Sequence, residues 1–386
     1  MPFSLYLLAL AVFVMGTSEF MLAGLLPAIA SDLDVSVGTA GLLTSAFAVG
    51  MVVGAPLMAA FARRWPPRLT LIVCLIVFAG CHIVGALTPT FSVLLVTRVL
   101  SALANAGFLA VALTTATALV PADRKGRALA VLLSGATIAT VAGVPAGALF
   151  GTALGWRSTF WAIAALCVPA VIGVLRGIPR APSQAGLAGL SLRRELRELG
   201  SSRLLLAMTL GALVNGGTFA AFTFLAPVVT DIAGLDAGWV SVALVLFGVG
   251  SFLGVTLAGR LSDRHPGLVL GIGGPLLLAG WVLTALVAAE PAALLALIFV
   301  QGVLSFGVGS TLIARVLYAA SGAPTMGGSY ATAALNIGAA VGPVLGGIWL
   351  GAGLVAPVWV AAGMTGVALV VAAVFRRAVV GSSGGR

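Results

Sequence analysis

The chain has 386 residues, of which 61% are hydrophobic and 8% charged, with a mean hydropathy of +1.19. That composition excludes a soluble globular protein and marks a polytopic membrane protein. The net charge of +10 could suggest nucleic acid, but the charges sit in short clusters between long apolar runs and form no basic stripe, so no nucleic-acid partner is expected.

Apolar runs of about 20 residues, matched to a hydrocarbon core of ~30 Å, predict twelve transmembrane helices. They lie near 3–29, 38–61, 69–88, 91–119, 128–152, 157–175, 204–230, 237–259, 267–289, 291–314, 326–351 and 355–375. The first span carries one charge, Glu19. A carboxylate at such depth costs roughly 2.5 to 3.5 kcal/mol on insertion scales, so it is expected to face protein or water and to be functional. Met1 to Leu10 lacks a basic n-region, and its apolar run is too long for an h-region, which predicts an uncleaved first span. In the third span His82 reads as a satisfied polar side chain rather than a proton relay. Cys74, Cys81 and Cys167 lie in apolar runs as small hydrophobes, and neither a disulfide framework nor a metal set follows from them.

The fourth span holds the second anomaly, Arg98. Glu19 lies ten residues before Ile29 and Arg98 seven after Phe91; at ~1.5 Å per residue both sit roughly 10 to 15 Å below the same face. They are predicted to form a coupled pair, direct or bridged by water, with a purely structural buried ion pair as the alternative.

Of the 20 basic residues, 18 fall in the even-to-odd loops and the C-terminal tail. The opposite loops carry Arg157 with Asp32, Asp34, Asp231, Asp236 and Glu290. This strong positive-inside pattern predicts cytoplasmic termini. Residues 179–203 form the longest polar stretch, ending in a short helix in which Leu192, Leu196 and Leu199 share one face and the charges take the other, as expected for a helix lying on the inner membrane surface. The linker divides the chain into a six-helix bundle over 1–178 and another over 204–386. The halves repeat at an offset near 200: Phe47, Gly50 and Gly54 match Phe247, Gly250 and Gly254, and Gly16, Leu25 and Pro27 match Gly216, Leu225 and Pro227. Two parallel six-span repeats around a midplane site are a transporter plan.

Four sets of residues carry a resemblance that covers essentially the whole chain. After the second span Gly54 and Arg63 survive from a gating-loop signature, with Met58 and Ala62 where Gly and Asp are usual, and the second half keeps Gly259-Arg260-Leu261-Ser262-Asp263-Arg264. The fourth span has Arg98-x-x-Ser101-x-x-x-Asn105-x-Gly107. The fifth has Gly143-Val144-Pro145-Ala146-Gly147 and the eleventh Gly338-x3-Gly342-Pro343-x-x-Gly346. The first has Gly16-Thr17-Ser18-Glu19-Phe20-x-x-x-Gly24-Leu25-Leu26-Pro27. Together these resemble the major facilitator superfamily, within it the twelve-span drug:proton antiporters, and most nearly the chloramphenicol-resistance exporters of actinomycetes. No inner-gate charge network can be built here from an Asp at position 62.

The resemblance implies an all-α integral membrane fold of two six-helix bundles in the bacterial cytoplasmic membrane. It also implies proton-coupled efflux of an antibiotic by a monomer, with the proton gradient as energy source and no cofactor. Glu19 and Arg98 would couple protons. Asn105, Asn215, Phe219, Gln301 and Asn336 are the candidate substrate contacts, although interhelical hydrogen bonding explains the amides equally well. Phe13, Phe20, Phe108, Phe222 and Phe306 could add aromatic surface. A mostly apolar cavity with a few polar groups suits a small neutral amphipathic ligand. The glycines and prolines of spans five and eleven are expected to serve close packing and bending first. No Walker-type Gly-Lys-Ser/Thr loop occurs, so this chain is not read as an enzyme or an ATP-driven pump. An exporter of sugars or another metabolite on the same scaffold, and a non-transporting membrane receptor, are the alternative readings.

Overall fold

A computed structural model describes residues 2–61, 65–121, 124–178, 195, 197–262, 266–323 and 326–375. Among the described residues are twelve helices long and apolar enough to cross a bilayer. They are α1 (Phe3–Gly24), α2 (Val37–Met58), α3 (Pro67–Leu87), α4 (Phe91–Ala118), α5 (Arg127–Leu154), α6 (Trp156–Gly177), α7 (Ser202–Thr223), α8 (Gly238–Leu261), α9 (Gly267–Leu286), α10 (Pro291–Ala319), α11 (Gly327–Ala352) and α12 (Ala356–Val374). A helix is the form in which such a run can satisfy its own backbone away from water. Ile76, Leu154, Ile348 and Val370 are among the large apolar side chains left exposed on the outer faces, where lipid would cover them.

The expected spans match except at two related places. The first is α-helical only to Phe20; Met21–Gly24 winds as a 3-10 turn and a separate helix, Leu26–Asp32, follows. Pro27 explains the break, because it has no N–H to give the preceding turn and its ring crowds the carbonyl four residues back. The seventh span does likewise: the helix ends at Thr223, and a short turn at Leu225–Pro227 leads into a π-helical segment, Val228–Ile232. Pro27 and Pro227 are matched positions of the sequence repeat.

The packing repeats as well. In the first half α1 packs on α5 and α6, α2 on α4, and α3 on α4 and α6; in the second α7 packs on α11 and α12, α8 on α10, and α9 on α10 and α12. Gly50 lies against the carbonyl of Val99, and Gly250 against that of Phe299, so a Cβ at either would overlap the neighbouring backbone. Gly54 packs inside α2 against Ala106, whereas Gly259 is exposed. Arg63, Asp263 and Arg264, the other gating-loop candidates, lie outside the described residues.

The halves meet along α2 and α11, and between α8 and the Ala139–Leu154 part of α5. At the end opposite the chain termini the seam is very close, with Gly38 facing Gly347 backbone to backbone, Gly41 under Phe224, and Gly24 against Ala148 and Leu244. Toward the termini α8 has no comparable packing on Lys125–Ile138 of α5, though Ser329 on α11 donates a 3.3 Å hydrogen bond to the Ala55 carbonyl on α2. The interior is therefore sealed at the far end and less closely packed along the α5–α8 seam toward the termini. Gly38→Val is expected to force the far seam apart, widening by several ångströms the distance between spin labels placed at exposed Ser31 and Gly351; an unchanged distance distribution refutes this account of the seal.

The expected surface helix at the end of the linker falls mostly outside the described residues, which here include Glu195 and Arg197 but not 179–194 or 196. Glu195 itself differs from that expectation. It is buried, its carboxylate accepts a hydrogen bond from the Met326 N–H (2.9 Å), and its carbonyl accepts one from the Tyr330 hydroxyl (2.8 Å). An otherwise unsatisfied helix N-terminus attracts a carboxylate, and the start of α11 takes this one from the linker.

Candidate functional site

α1 and α4 bring the two anomalous charges to one level. Arg98 is 1% exposed, and both terminal nitrogens of its guanidinium are committed to one residue of α1: Nη1 donates to Ser18 Oγ and Nη2 to the Ser18 carbonyl, each at 2.9 Å. The guanidinium also lies 4.5 Å from the centre of the Phe47 ring on α2, a cation–π contact. Ser18 Oγ is in turn 2.6 Å from His82 Nε2, and His82 Nδ1 is 2.7 Å from the Phe78 carbonyl. A carbonyl can only accept, so Nδ1 carries the hydrogen, Nε2 accepts from the Ser18 hydroxyl, and that oxygen accepts from Arg98. One unbroken chain thus runs from α3 through α1 to α4.

Glu19 stands one residue further along, about 100° round the helix, and is half-buried where Ser18 is fully buried. Glu19 and Arg98 interact electrostatically, but among the described residues no hydrogen bond or ion pair joins them. The direct form of the predicted pair is therefore not made in this conformation. Both terminal nitrogens of the guanidinium turn to Ser18, and Nε of Arg98 is the nitrogen left without a partner. That free N–H is the donor a rearranged carboxylate or a water would take up. Ser18 and Phe47 as partners of Arg98 were not identified from sequence; the run of polar residues Thr17-Ser18-Glu19 in an apolar span was the available signal.

Beyond Glu19 the site becomes aromatic and crosses to the second half. Phe20 packs against Phe219 (5.7 Å between ring centres) and Phe222 (6.2 Å), Phe222 against Phe247 (4.7 Å), and Phe247 against Phe306 (5.9 Å). Of the aromatic candidates, Phe20, Phe219, Phe222 and Phe306 belong to this cluster, joined by the repeat residue Phe247. Phe108 is fully buried in the first-half core and Phe13 packs beside Gly143, so those two stand outside it.

The four amides divide. Asn215 donates to the Leu335 carbonyl on α11 (2.7 Å), Gln301 to the Leu277 carbonyl on α9 (3.3 Å) and Asn336 to the Thr332 carbonyl of its own helix (3.0 Å). Asn105, two turns beyond Arg98 and on the same face, makes no such bond among the described residues.

The paired glycine motifs set the α1–α5 and α7–α11 crossings. Gly135 and Gly143 on α5 abut Ala9 and Thr17 on α1, and Gly147 lies beside Met21 and Thr159. On α11, Gly338 and Gly342 abut Ala212 and Gly216 of α7, and Gly346 abuts Phe224. Pro145 follows a π-helical turn, Ala139–Gly143, whose cap has the Val144 N–H reach back to the Ala139 carbonyl; Pro343 sits within an unbroken helix. At the far end of the first half Arg157 pairs with Asp32 and donates to the Thr88 carbonyl at 3.1 Å, while Trp156 Nε1 donates to the same Asp32 oxygen at 3.2 Å.

Known proteins share the build of this chain. The profile of the Major Facilitator Superfamily matches residues 8–332. A chloramphenicol resistance protein of Streptomyces lividans is 65% identical over 379 residues, 97% of each chain. The inner membrane transport protein YdhP of Escherichia coli K12 is 34% identical, with 91% of this chain and 90% of that one covered. Among solved structures, a bacterial homolog of the human lysosomal transporter Spinster in an inward-facing, unoccupied conformation superposes with a TM-score of 0.73 at 19% identity, covering 97% of this chain and 95% of its own.

Proposed function

The chain belongs to the major facilitator superfamily, and from that premise we propose that it exports a small neutral amphipathic antibiotic of the chloramphenicol type in exchange for protons. The observation that carries the reading is the half-buried Glu19 at the junction of the Ser18-anchored Arg98 and the Phe20–Phe219–Phe222 cluster. A proton site and an apolar aromatic surface adjoin there, so loading one can oppose loading the other. The name of the Streptomyces lividans relative supports the drug class.

In this scheme the termini are cytoplasmic and the conformation described opens toward the cytoplasm. Drug enters from the side of the termini and lies against the aromatic cluster, with Asn105 as its uncommitted amide. The halves then rock about the glycine-lined crossings, and a proton from outside neutralises Glu19 and promotes release. Glu19 in its ionised form draws the free Nε of Arg98, whereas the protonated acid does not. Arg98 in turn touches α1 and α2, both of which meet the second half. Asn215, Gln301, Asn336 and Phe219 complete the substrate surface in the second half. Three of the four amides already spend an N–H on a backbone carbonyl, which leaves few free groups for a sugar and disfavours that alternative. A monomer in the cytoplasmic membrane suffices for this cycle.

The test is chloramphenicol accumulation in a pump-deficient host expressing the chain. Accumulation is expected to fall severalfold and to recover on adding a protonophore. Unchanged accumulation with good membrane expression removes the drug assignment and directs the search to a panel of sugars and other metabolites.

A further inference from the structure

In the second half, α10 places Gln301 where α4 places Arg98 in the first. Arg98 is buried and held by Ser18 and Phe47, whereas Gln301 borders a cavity whose lining carries no charge. Phe222, Phe247, Trp281, Thr284, Ile298 and Gln301 form much of its wall, and the space between them admits about one water-sized group.

Two polar atoms in this wall have no partner among the described residues: the Nε1–H of Trp281 and Oε1 of Gln301. The side chains are 4% and 1% exposed. The amide orientation of Gln301 is fixed, because its Nε2 donates to the Leu277 carbonyl, which can only accept. The free end of Gln301 is therefore an acceptor and the free edge of Trp281 a donor. Thr284 spends its hydroxyl hydrogen on the Gly280 carbonyl at 2.8 Å and offers one more acceptor oxygen. Buried polar groups left unpaired are costly, and a hydroxyl seated between the two side chains would complement both, accepting from Trp281 and donating to Gln301.

The cavity also backs onto the aromatic cluster. Phe222 and Phe247, 4.7 Å apart, form one of its walls and equally line a second small cavity between the halves, with Phe20, Thr140, Ser251 and Phe306. Phe20 adjoins Glu19. A ligand lying against the aromatic cluster therefore has the neutral pocket behind the Phe222–Phe247 rings.

We propose that this pocket binds the terminal primary hydroxyl of the exported drug, held between Trp281 and Gln301, while the rest of the molecule lies against the aromatic cluster. The size of the pocket selects a terminal CH₂–OH over an internal hydroxyl, and its lack of charge selects an uncharged group. The proposal rests on the drug reading above and makes Trp281 a specificity-determining residue.

The test uses the full chain in lipid nanodiscs and equilibrium binding of two radiolabelled probes, chloramphenicol and its analogue with fluorine in place of the primary hydroxyl. Fluorine cannot donate, so the wild type should bind the analogue about tenfold more weakly. Trp281→Phe and Gln301→Leu should each weaken chloramphenicol about tenfold and the analogue less than twofold. Gly280→Ala provides a variant that removes no polar group: its Cβ would come within 2.5 Å of Gln301 Oε1 and displace the amide, with the same selective loss expected. Equal weakening of both probes, or none, means that the two atoms hold a resident water only and overturns the pocket assignment. If the wild type binds neither probe, the drug reading itself has failed and the proposal falls with it.

Discussion

Glu19→Gln is expected to abolish uphill, proton-driven export, lowering its rate by about 100-fold or more in proteoliposomes, while downhill exchange of drug across the membrane persists. Gln keeps the size and the hydrogen bonding of a protonated Glu but cannot release a proton. The variant is therefore held in the loaded form, able to bind and to alternate but not to draw on the gradient. Glu19→Asp retains the carboxylate on a shorter stem and should keep part of the activity. The measurement is drug movement in vesicles with an imposed pH gradient. If Glu19→Gln still concentrates drug against its gradient, the coupling group lies elsewhere, and α1 of this structure has no other carboxylate to offer.

The second large effect is at Arg98. Its two terminal nitrogens grip the side chain and the backbone of Ser18 together, a fork that Lys cannot reproduce with a single ammonium. Arg98→Lys should therefore reach the membrane and melt within a few degrees of the wild type, yet exchange at less than about a tenth of its rate. Arg98→Leu should do worse, because it leaves the Ser18 carbonyl unpartnered beside His82 and takes the cation from above Phe47; a loss of about 3 kcal/mol is expected, visible as a melting temperature lower by about 5 °C or more in detergent. Wild-type exchange by Arg98→Lys would reduce the residue to a bare positive charge and discard the Ser18 grip as part of the mechanism.

Much of the architecture is legible in the sequence. A run of about 20 apolar residues has few other options in a bilayer, so twelve spans followed from hydropathy. The recurrence of Gly50 at 250 and of Gly54 at 254 marked a repeat because a backbone passing within contact of another tolerates no Cβ. The level of Glu19 and Arg98 followed from helical rise alone. Their partners did not. Ser18 anchors Arg98 only because three helices converge at that height, and counting along one helix gives a residue its face but not what stands opposite. Hydropathy reads through Pro27 and Pro227 as continuous helix because it does not register a lost N–H. The amphipathic pattern puts Glu195 on the polar face of its turn; its burial depends on the start of α11, more than a hundred residues away in the chain. The sequence is silent on Trp281 for the same reason, its unpaired N–H being meaningful only once α9 and α10 are packed.

The uncharged lining of the second-half pocket has an electrical consequence. A passenger that suits such a lining is neutral, so trading one of them for one proton moves a single positive charge inward per cycle. Under the one-for-one exchange proposed above, the membrane voltage would drive transport as directly as the pH difference does. At about 2.3 kcal/mol per charge for 100 mV, voltage alone could sustain roughly a fiftyfold concentration ratio of drug across the membrane, and a cell at neutral external pH would still be protected.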